Sequence, residues 1–191
     1  SIYWRRKPEH YLPGTPKLCK LMSNLSNNKL PALIYSNYLE NGVKVIETCL
    51  ENPSYFKINR SFVFASITGS TSDRVLKYVI NAYNKGTIDV LIISGAGGEG
   101  LDLKGCRQVH ILEQYWHAAR INQAIGRAIR YKSHVHLPAR ERNVKVFQYI
   151  NVYPPSKGSI LSWFTADSDI WLNRPKLSAD EFLYELSKRK L

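Results

Sequence analysis

Short apolar segments with strand character recur along this chain about every 25 residues, and amphipathic helical patterns separate them. The most informative of them is 89–93, DVLII, in which four apolar residues follow Asp89 without any alternation. A strand covered by helices on both faces has this pattern because neither of its sides meets water. Further strand-like segments lie at 32–36, 61–67, 108–112 and 144–152. This order predicts an α/β fold, a parallel sheet flanked by helices.

Helical periodicity fills the intervals between the predicted strands. It predicts helices over 17–29, around 45–50, from 70–72 to Tyr83, over 117–131, and in the tail segment SADEFLYELSKRK. In the tail, Ser178 and Glu181 have the spacing of a capping box, and Phe182, Leu183 and Leu186 form an apolar stripe. Strands and helices therefore alternate as in one Rossmann-like or RecA-like lobe.

The charge of the chain favours a polyanionic partner. The 191 residues contain 27 Lys and Arg against 15 Asp and Glu, a formal net charge of +12. Nucleic acid is the first candidate, and a basic surface that serves only solubility is the alternative. No apolar run approaches the ~18 residues needed to cross a bilayer, so no membrane association is expected.

Cysteine and histidine spacing excludes several kinds of site. Cys19, Cys49 and Cys106 stand far apart with no C-x-x-C pair, which argues against a zinc module and a disulfide scaffold. The five histidines lack metal-ligand spacing, so we expect no metal ion held by the protein alone. The sequence predicts a soluble globular protein.

A glycine-rich segment, SGAGGEGLDLKG, occupies 94–105 directly after the 89–93 strand. Glycines after a parallel strand let the backbone approach a phosphate and present its N–H groups. A purely structural turn is the alternative. No G-x-x-x-x-G-K-[ST] phosphate loop exists in the chain, so a free-standing nucleotide-binding enzyme is the poorest hypothesis.

The predicted 117–131 helix has a second candidate pattern. Gln123, Arg127 and Arg130 are spaced by four and three residues, so one helical face carries them. Apolar residues occupy the opposite side: Ile121, Ala124, Ile125 and Ala128. Two guanidinium forks on one face suit a clamp on a phosphate chain, and an exposed basic helix face is the alternative.

Taken together, SGAGGEGLDLKG and QAIGRAIR resemble motifs V and VI of superfamily-two helicases and translocases, most of all the Swi/Snf-like branch. Other segments of that branch follow in order: TPKL at 15–18 resembles the opening of its second lobe, LIYSNY at 33–38 its motif IV, and 67–86 the segment before motif V. INQAIGRAIRYKSH and the tail segment look like helicase-type transcription factors and NTPases of large cytoplasmic DNA viruses. The resemblance covers about 15–151.

This resemblance implies the second RecA-like lobe of an ATP-dependent helicase or translocase. Arg127 and Arg130 would be arginine fingers with Gln123 near the phosphates, and the nucleotide cleft would be lined by Gly98, Glu99, Gly100 and Asp102. The nucleic-acid contacts would be Ser36, Asn37, Thr68, Gly69, Ser94 and Gly95. The cofactors would be ATP and Mg²⁺, both held mainly by a missing N-terminal RecA-like lobe.

The chain departs from a complete motor because it has no Walker A segment and no DExx box. Asp180 and Glu181 resemble one on paper but lie in the predicted capping box. We therefore expect a longer polypeptide, since Ser1 stands where a native start would have Met, and we expect this chain alone to be inactive. Expected boundaries are a lead-in or linker at 1–14, the RecA-like domain at 15–152 and an extension at 153–191.

Partners and location follow from the same resemblance. DNA or RNA, the N-terminal lobe and the transcription machinery are the expected partners, and the viral likeness implies the host cytoplasm or the virion. A non-catalytic module that only holds nucleic acid or protein in a transcription complex is the alternative. The residues do not separate DNA from RNA, or unwinding from translocation.

Two smaller features have two interpretations each. The basic residues after the motif VI segment either track phosphates or form a solvated loop: Lys132, His134, His136, Arg140 and Arg142. Tyr115 and Trp116 either pack against the core or stack on bases.

Overall fold

A five-stranded parallel sheet forms the centre of the molecule. The computed structural model describes residues 16–95, 101–115, 118–128, 130, 133–152 and 177–189. The strands are β1 (Ala32–Ser36), β2 (Phe64–Ile67), β3 (Val90–Ser94), β4 (Gln108–Ile111) and β5 (Lys145–Gln148), in the spatial order β2-β3-β1-β4-β5. All four neighbouring pairs are parallel. The predicted α/β class is confirmed.

Five α-helices accompany the sheet among the described residues: α1 (Pro16–Asn27), α2 (Lys44–Glu51), α3 (Asp73–Asn84), α4 (Ala118–Ala128) and α5 (Ala179–Arg189). Short turns of π- and 3₁₀-helix lie at Leu39–Val43, Pro53–Phe56 and Ala139–Glu141. None of the described helices combines the length and the apolar character that a bilayer span requires.

Two hydrophobic clusters pack against the two faces of the sheet. Alternate residues of β1 separate them, because successive side chains of a strand point to opposite faces. Leu33 and Tyr35 join the cluster of α3 and α4, whereas Ala32 and Ile34 join the cluster of α1 and α2. Every residue of β1 and β3 is buried, as expected for strands covered on both sides. The predicted helices on both faces are therefore present.

Some element ends differ from the sequence-based expectation. β2 begins at Phe64 instead of residue 61, and β5 ends at Gln148 instead of residue 152. The predicted 117–131 helix ends at Ala128, and Arg130 is not helical. The carbonyl of Arg130 accepts hydrogen bonds from the backbone N–H and the hydroxyl of Ser133, at 3.0 and 2.8 Å, so the chain turns there. The expectation that Arg130 shares a helix face with Gln123 was wrong for this reason.

Helix α5 begins with the predicted capping box. The Ser178 N–H donates to Glu181 Oε2 at 2.7 Å, and the Glu181 N–H donates to Ser178 Oγ at 3.1 Å. The predicted apolar stripe was wrong for Phe182, which is 54% exposed. Ser187 is buried and Leu183 and Leu186 are half-buried, so the packed face lies about 100° around the helix from Phe182.

Candidate nucleotide and nucleic-acid site

The six residues expected to contact nucleic acid lie at the carboxyl ends of three neighbouring strands. Ser36 ends β1 and pairs in register with Ser94, which ends β3. Ile67, the last residue of β2, pairs with Ile93. Asn37, Thr68, Gly69 and Gly95 continue from these strand ends. The fold thus brings together the ends of β1 and β3, although Ser36 and Ser94 are more than fifty residues apart in the sequence.

Burial divides these residues into two groups. Ser36 is fully buried and Ser94 is 3% exposed, so their side chains lie within the sheet edge. Asn37 and Thr68 are half-buried and Gly69 is exposed. A ligand on this edge therefore meets the loops after β1 and β2 before it meets the two serines.

Glu113, which the sequence analysis did not single out, fixes the end of β1. The carboxylate accepts from Ser36 Oγ at 3.0 Å through Oε1 and from the Asn37 N–H at 2.9 Å through Oε2. Burial raises the pKa of Glu113, and the two hydrogen bonds act in the opposite direction. An acid directly after the predicted strand QVHIL was the signal available in the sequence.

Gly42 leaves the space that this arrangement needs. A Cβ atom at Gly42 would overlap Ser36 Oγ. The turn at Leu39–Val43 therefore requires glycine at this position because of the close approach and not because of its backbone angles.

The described end of the glycine-rich segment crosses the face of the sheet that α3 and α4 cover. Leu101 and Leu103 are fully buried in that cluster, and Asp102 between them is exposed. Asn84, the last residue of α3, donates to the Asp102 carbonyl at 3.0 Å and accepts from the Lys104 N–H at 2.7 Å. These anchors hold Asp102 at the surface. Gly98, Glu99 and Gly100 lie outside the described residues.

Asp102 and Arg130, predicted from separate motifs, come within ion-pair distance. Arg130 Nη1 lies 3.8 Å from Asp102 Oδ1, and the two side chains are 44% and 59% exposed. Gln123 is exposed on α4, and Ile121 on the same helix is buried in the core. The side chain of Arg127 lies outside the described part of α4. The pair lies beside Asn84 at the end of α3 and just after the end of α4.

The Asp102–Arg130 pair can rearrange at little cost. An exposed pair of this kind contributes about 0–1 kcal/mol, because water and salt screen it. Its guanidinium remains available as a planar fork for phosphate oxygens. Among the described residues no three His, Cys, Asp or Glu side chains group as metal ligands.

In the basic loop after the motif VI segment, the hydrogen bonds of His134 and Arg142 stabilise the loop. His134 is buried, with Nδ1 2.7 Å from Ser133 Oγ and Nε2 2.6 Å from the Cys106 carbonyl. Arg142 donates to the carbonyls of Leu137 and Val135 at 2.9 and 3.1 Å. These contacts are structural, whereas His136 and Arg140 are exposed.

The aromatic pair before α4 is described in part. Tyr115 packs against the cluster of α3 and α4, which favours the packing interpretation for this residue. Trp116 and Lys132 lie outside the described residues.

Comparison with solved structures identifies the fold. The C-terminal part of the Fun30 ATPase domain superposes with a TM-score of 0.63 at 19% identity, covering 97% of this chain and 55% of that chain. The yeast DEAD-box splicing factor Prp28 gives a TM-score of 0.54 at 14% identity, covering 90% of this chain and 34% of that one. At these identities the likeness concerns the fold alone, which is the RecA-like lobe of helicases.

Comparison of sequences identifies the family. Residues 15–132 match the helicase conserved C-terminal domain. A predicted ATP-dependent RNA helicase of Acanthamoeba polyphaga mimivirus is 38% identical over 177 residues, or 93% of this chain and 34% of that protein. A termination factor NPH-I homologue of African swine fever virus is 31% identical, over 73% of this chain and 26% of that protein. The chain spans about a third or less of the relatives it matches. It belongs to the family of helicase conserved C-terminal domains and has the second RecA-like lobe of superfamily-two helicases.

Proposed function

We propose that this chain is the second lobe of an ATP-dependent nucleic-acid helicase or translocase. ATP would bind between this lobe and an N-terminal RecA-like lobe of the same longer polypeptide, so the chain alone would hydrolyse none. The observation that supports the proposal most directly is the 3.8 Å approach of Arg130 to Asp102, which joins the motif V and motif VI segments at the surface. Membership of the helicase family supports it further.

The roles of the surface residues follow from their charges and exposure. Arg130 and Arg127 would be the arginine fingers, with Gln123 beside the phosphates and Asp102 holding Arg130 until the nucleotide arrives. When bound, ATP with Mg²⁺ supplies the phosphoryl group and part of its counter-charge. Arg130 would then donate to phosphate oxygens as negative charge develops on them.

The carboxyl edge of β1, β2 and β3 would contact the nucleic-acid strand. Asn37, Thr68 and Gly69 lie at its surface, and Ser36 and Ser94 support them from within. The net charge of +12 supports a polyanionic partner. Relatives described as an RNA helicase and as a termination factor homologue make RNA or DNA and the transcription machinery the partners to test, in a viral or cytoplasmic setting.

Removing an arginine finger is the first test. We expect Arg127→Ala and Arg130→Ala, in the longest native polypeptide that contains this chain, to lower ATP turnover by about 10³-fold or more. Because the ion pair of Arg130 is exposed, folding should be unaffected, and a thermal melt checks this. ATP hydrolysis is measured without nucleic acid and with duplex DNA, single-stranded DNA or RNA, so that stimulation also identifies the strand.

Arg60→Ala is the matched control. Arg60 precedes β2, so it lies at the opposite end of the strand from the candidate nucleic-acid edge. It is partly exposed, lies 3.8 Å from Asp89 and belongs to neither the motif V nor the motif VI segment. Its loss should leave turnover unchanged. Near wild-type hydrolysis by both finger variants would contradict the proposed role of the motif VI arginines.

The alternative function is a non-catalytic module that holds nucleic acid or a protein partner in a transcription complex. The similarity to a termination factor homologue favours keeping it. It predicts no ATP turnover under any condition, together with nucleic-acid retention that is indifferent to nucleotide. The boundaries at 1–14, 15–152 and 153–191 remain part of the proposal.

A further inference from the structure

A cavity of about 290 Å³ opens at the amino ends of β4 and β5, beside the end of α1. Its walls carry four cationic side chains: Lys29, Arg107, Arg140 and Lys145. The candidate nucleic-acid residues lie at the carboxyl ends of the strands, which is the opposite edge of the sheet. The cavity is therefore separate from that surface.

Arg107 is the unusual member of this wall. It is 8% exposed, and its Nη2 donates to Asn143 Oδ1 at 3.0 Å. Its Nη1 has no hydrogen-bond partner among the described residues. A buried guanidinium with an unpaired donor is unfavourable unless an acceptor completes it. The cavity that Arg107 lines is the place from which an anionic acceptor could approach.

The remaining contacts leave the cavity with a positive balance. Lys145 Nζ donates to Asn28 Oδ1 at 2.6 Å, a neutral acceptor that cancels no charge. Glu141 is the acidic neighbour, with Oε1 3.0 Å from Lys29 Nζ, and Lys29 is the main cause of its lowered pKa. One carboxylate against four cations leaves a net positive site. Asn28 and Asn143 add amide groups to the wall.

We infer that this cavity is a second phosphate-binding site, which holds one phosphate group through Arg107, Lys145 and Arg140. About 290 Å³ is close to the lower limit of small-molecule pockets, so a single phosphate group suits it better than a whole nucleotide. A guanidinium fork, ammonium groups and amides are the donors that phosphate oxygens accept from. The group is carried either by a nucleic-acid backbone or by a free phosphorylated molecule.

The test variant is Arg140→Gln with Lys145→Gln, because both side chains are exposed and their loss should not unfold the chain. The matched control is Lys77→Gln with Lys85→Gln, two exposed lysines at α3 that remove the same charge outside the cavity. In the first arm, thermal melts are recorded with inorganic tripolyphosphate at constant ionic strength, and all proteins are compared in a background that carries Arg127→Ala and Arg130→Ala, so that the proposed nucleotide site does not contribute. We expect tripolyphosphate to raise the midpoint of the wild type and the control, and not that of the test variant.

The second arm uses a fluorescent single-stranded oligonucleotide titrated at several salt concentrations. If the backbone supplies the phosphate, the magnitude of the slope of log K against log salt should fall by about 0.7 in the test variant, because one phosphate contact is lost, and stay unchanged in the control. An unchanged slope with a lost tripolyphosphate shift assigns the site to a free phosphorylated molecule. This arm rests on the proposed function, whereas the tripolyphosphate arm needs neither nucleic acid nor ATP turnover.

Arg107→Lys tests the buried guanidinium directly. It keeps the charge and removes the fork, so we expect tripolyphosphate to bind about tenfold more weakly. The inference is overturned if tripolyphosphate does not shift the wild type, or if the test and control variants behave alike in both arms.

Discussion

At the residue scale, His110 shows how a buried polar side chain within the sheet finds partners on both of its ring nitrogens. His110 in β4 lies with Nδ1 2.8 Å from Tyr149 Oη and Nε2 3.1 Å from Gln108 Oε1, and its ring stacks on Phe147 at 5.0 Å. Burial lowers the pKa of His110 to about 3, so the ring is neutral in the folded protein at ordinary pH. Its two hydrogen bonds make it a core histidine and not a catalytic one.

Glu113 gives the first pH prediction. Its folded pKa is raised above the ordinary value of 4.5, so the folded state holds the proton more tightly than the unfolded state. The wild type should therefore lose stability as pH rises from about 4.5 through the folded pKa, and the loss should persist above it. Glu113→Gln removes this titration. Urea unfolding of both proteins between pH 4 and pH 8 should show a less negative slope for the variant, and parallel curves would contradict the assignment.

At the element scale, a few polar contacts attach helix α5 to the rest of the lobe. Lys17 Nζ lies 2.7 Å from Asp180 Oδ2 and donates to the Leu112 carbonyl at 2.9 Å. The same Asp180 oxygen accepts from the Asn151 N–H at 2.8 Å, and Ser178 Oγ donates to the Asn151 carbonyl. The start of α5 is thereby tied to α1 and to the segment after β5. The capping box is the junction of these contacts.

Ser178→Ala should weaken this junction. The change removes the acceptor of the Glu181 N–H and the donor to Asn151, and we expect a cost of about 1–2 kcal/mol in unfolding free energy. Ser72→Ala is the matched control: Ser72 occupies the same position at the start of α3 but makes no side-chain capping bond, so it should cost less than about 0.5 kcal/mol. Urea denaturation measures both costs, and equal costs would show that the capping bond contributes nothing.

At the scale of the whole molecule, β1 joins the two clusters. It lies between β3 and β4 in the sheet, and its side chains enter both cores alternately. The loops at its two ends contribute to the candidate nucleic-acid edge and to the cavity of Lys29 and Arg107. Damage to this strand should therefore affect the entire lobe.

Ile34→Ala tests that role. Ile34 is fully buried, so its truncation should cost about 2–5 kcal/mol. Val146→Ala on the edge strand β5, where the side chain is 39% exposed, should cost less than about 1 kcal/mol. Both values come from denaturant unfolding monitored by circular dichroism. A similar cost in unfolding free energy for the two variants would contradict the central role of β1 in stability.

The sequence by itself determined the class and order of the fold. The DVLII segment, with four consecutive apolar residues after Asp89, predicted a parallel strand covered on both faces, and the i, i+3, i+4 patterns predicted the helices. Both patterns involve only residues that are close together in the sequence. The motif segments also predicted Asp102 and Arg130 as site residues. The capping box of α5 was equally visible, since its two residues are three apart.

Only the tertiary structure decided which of these residues meet. Glu113 beneath Ser36, Asn84 against the 102–104 backbone and Arg107 in the basic cavity each join positions that are distant or unmarked in the chain. Phe182 is exposed because its side of α5 does not pack against the described core residues. Arg130 lies beyond the end of α4, where the chain turns toward Ser133. Local sequence patterns specify the helices and strands, whereas the burial of a side chain and the charges around it depend on which distant residues the fold places next to it.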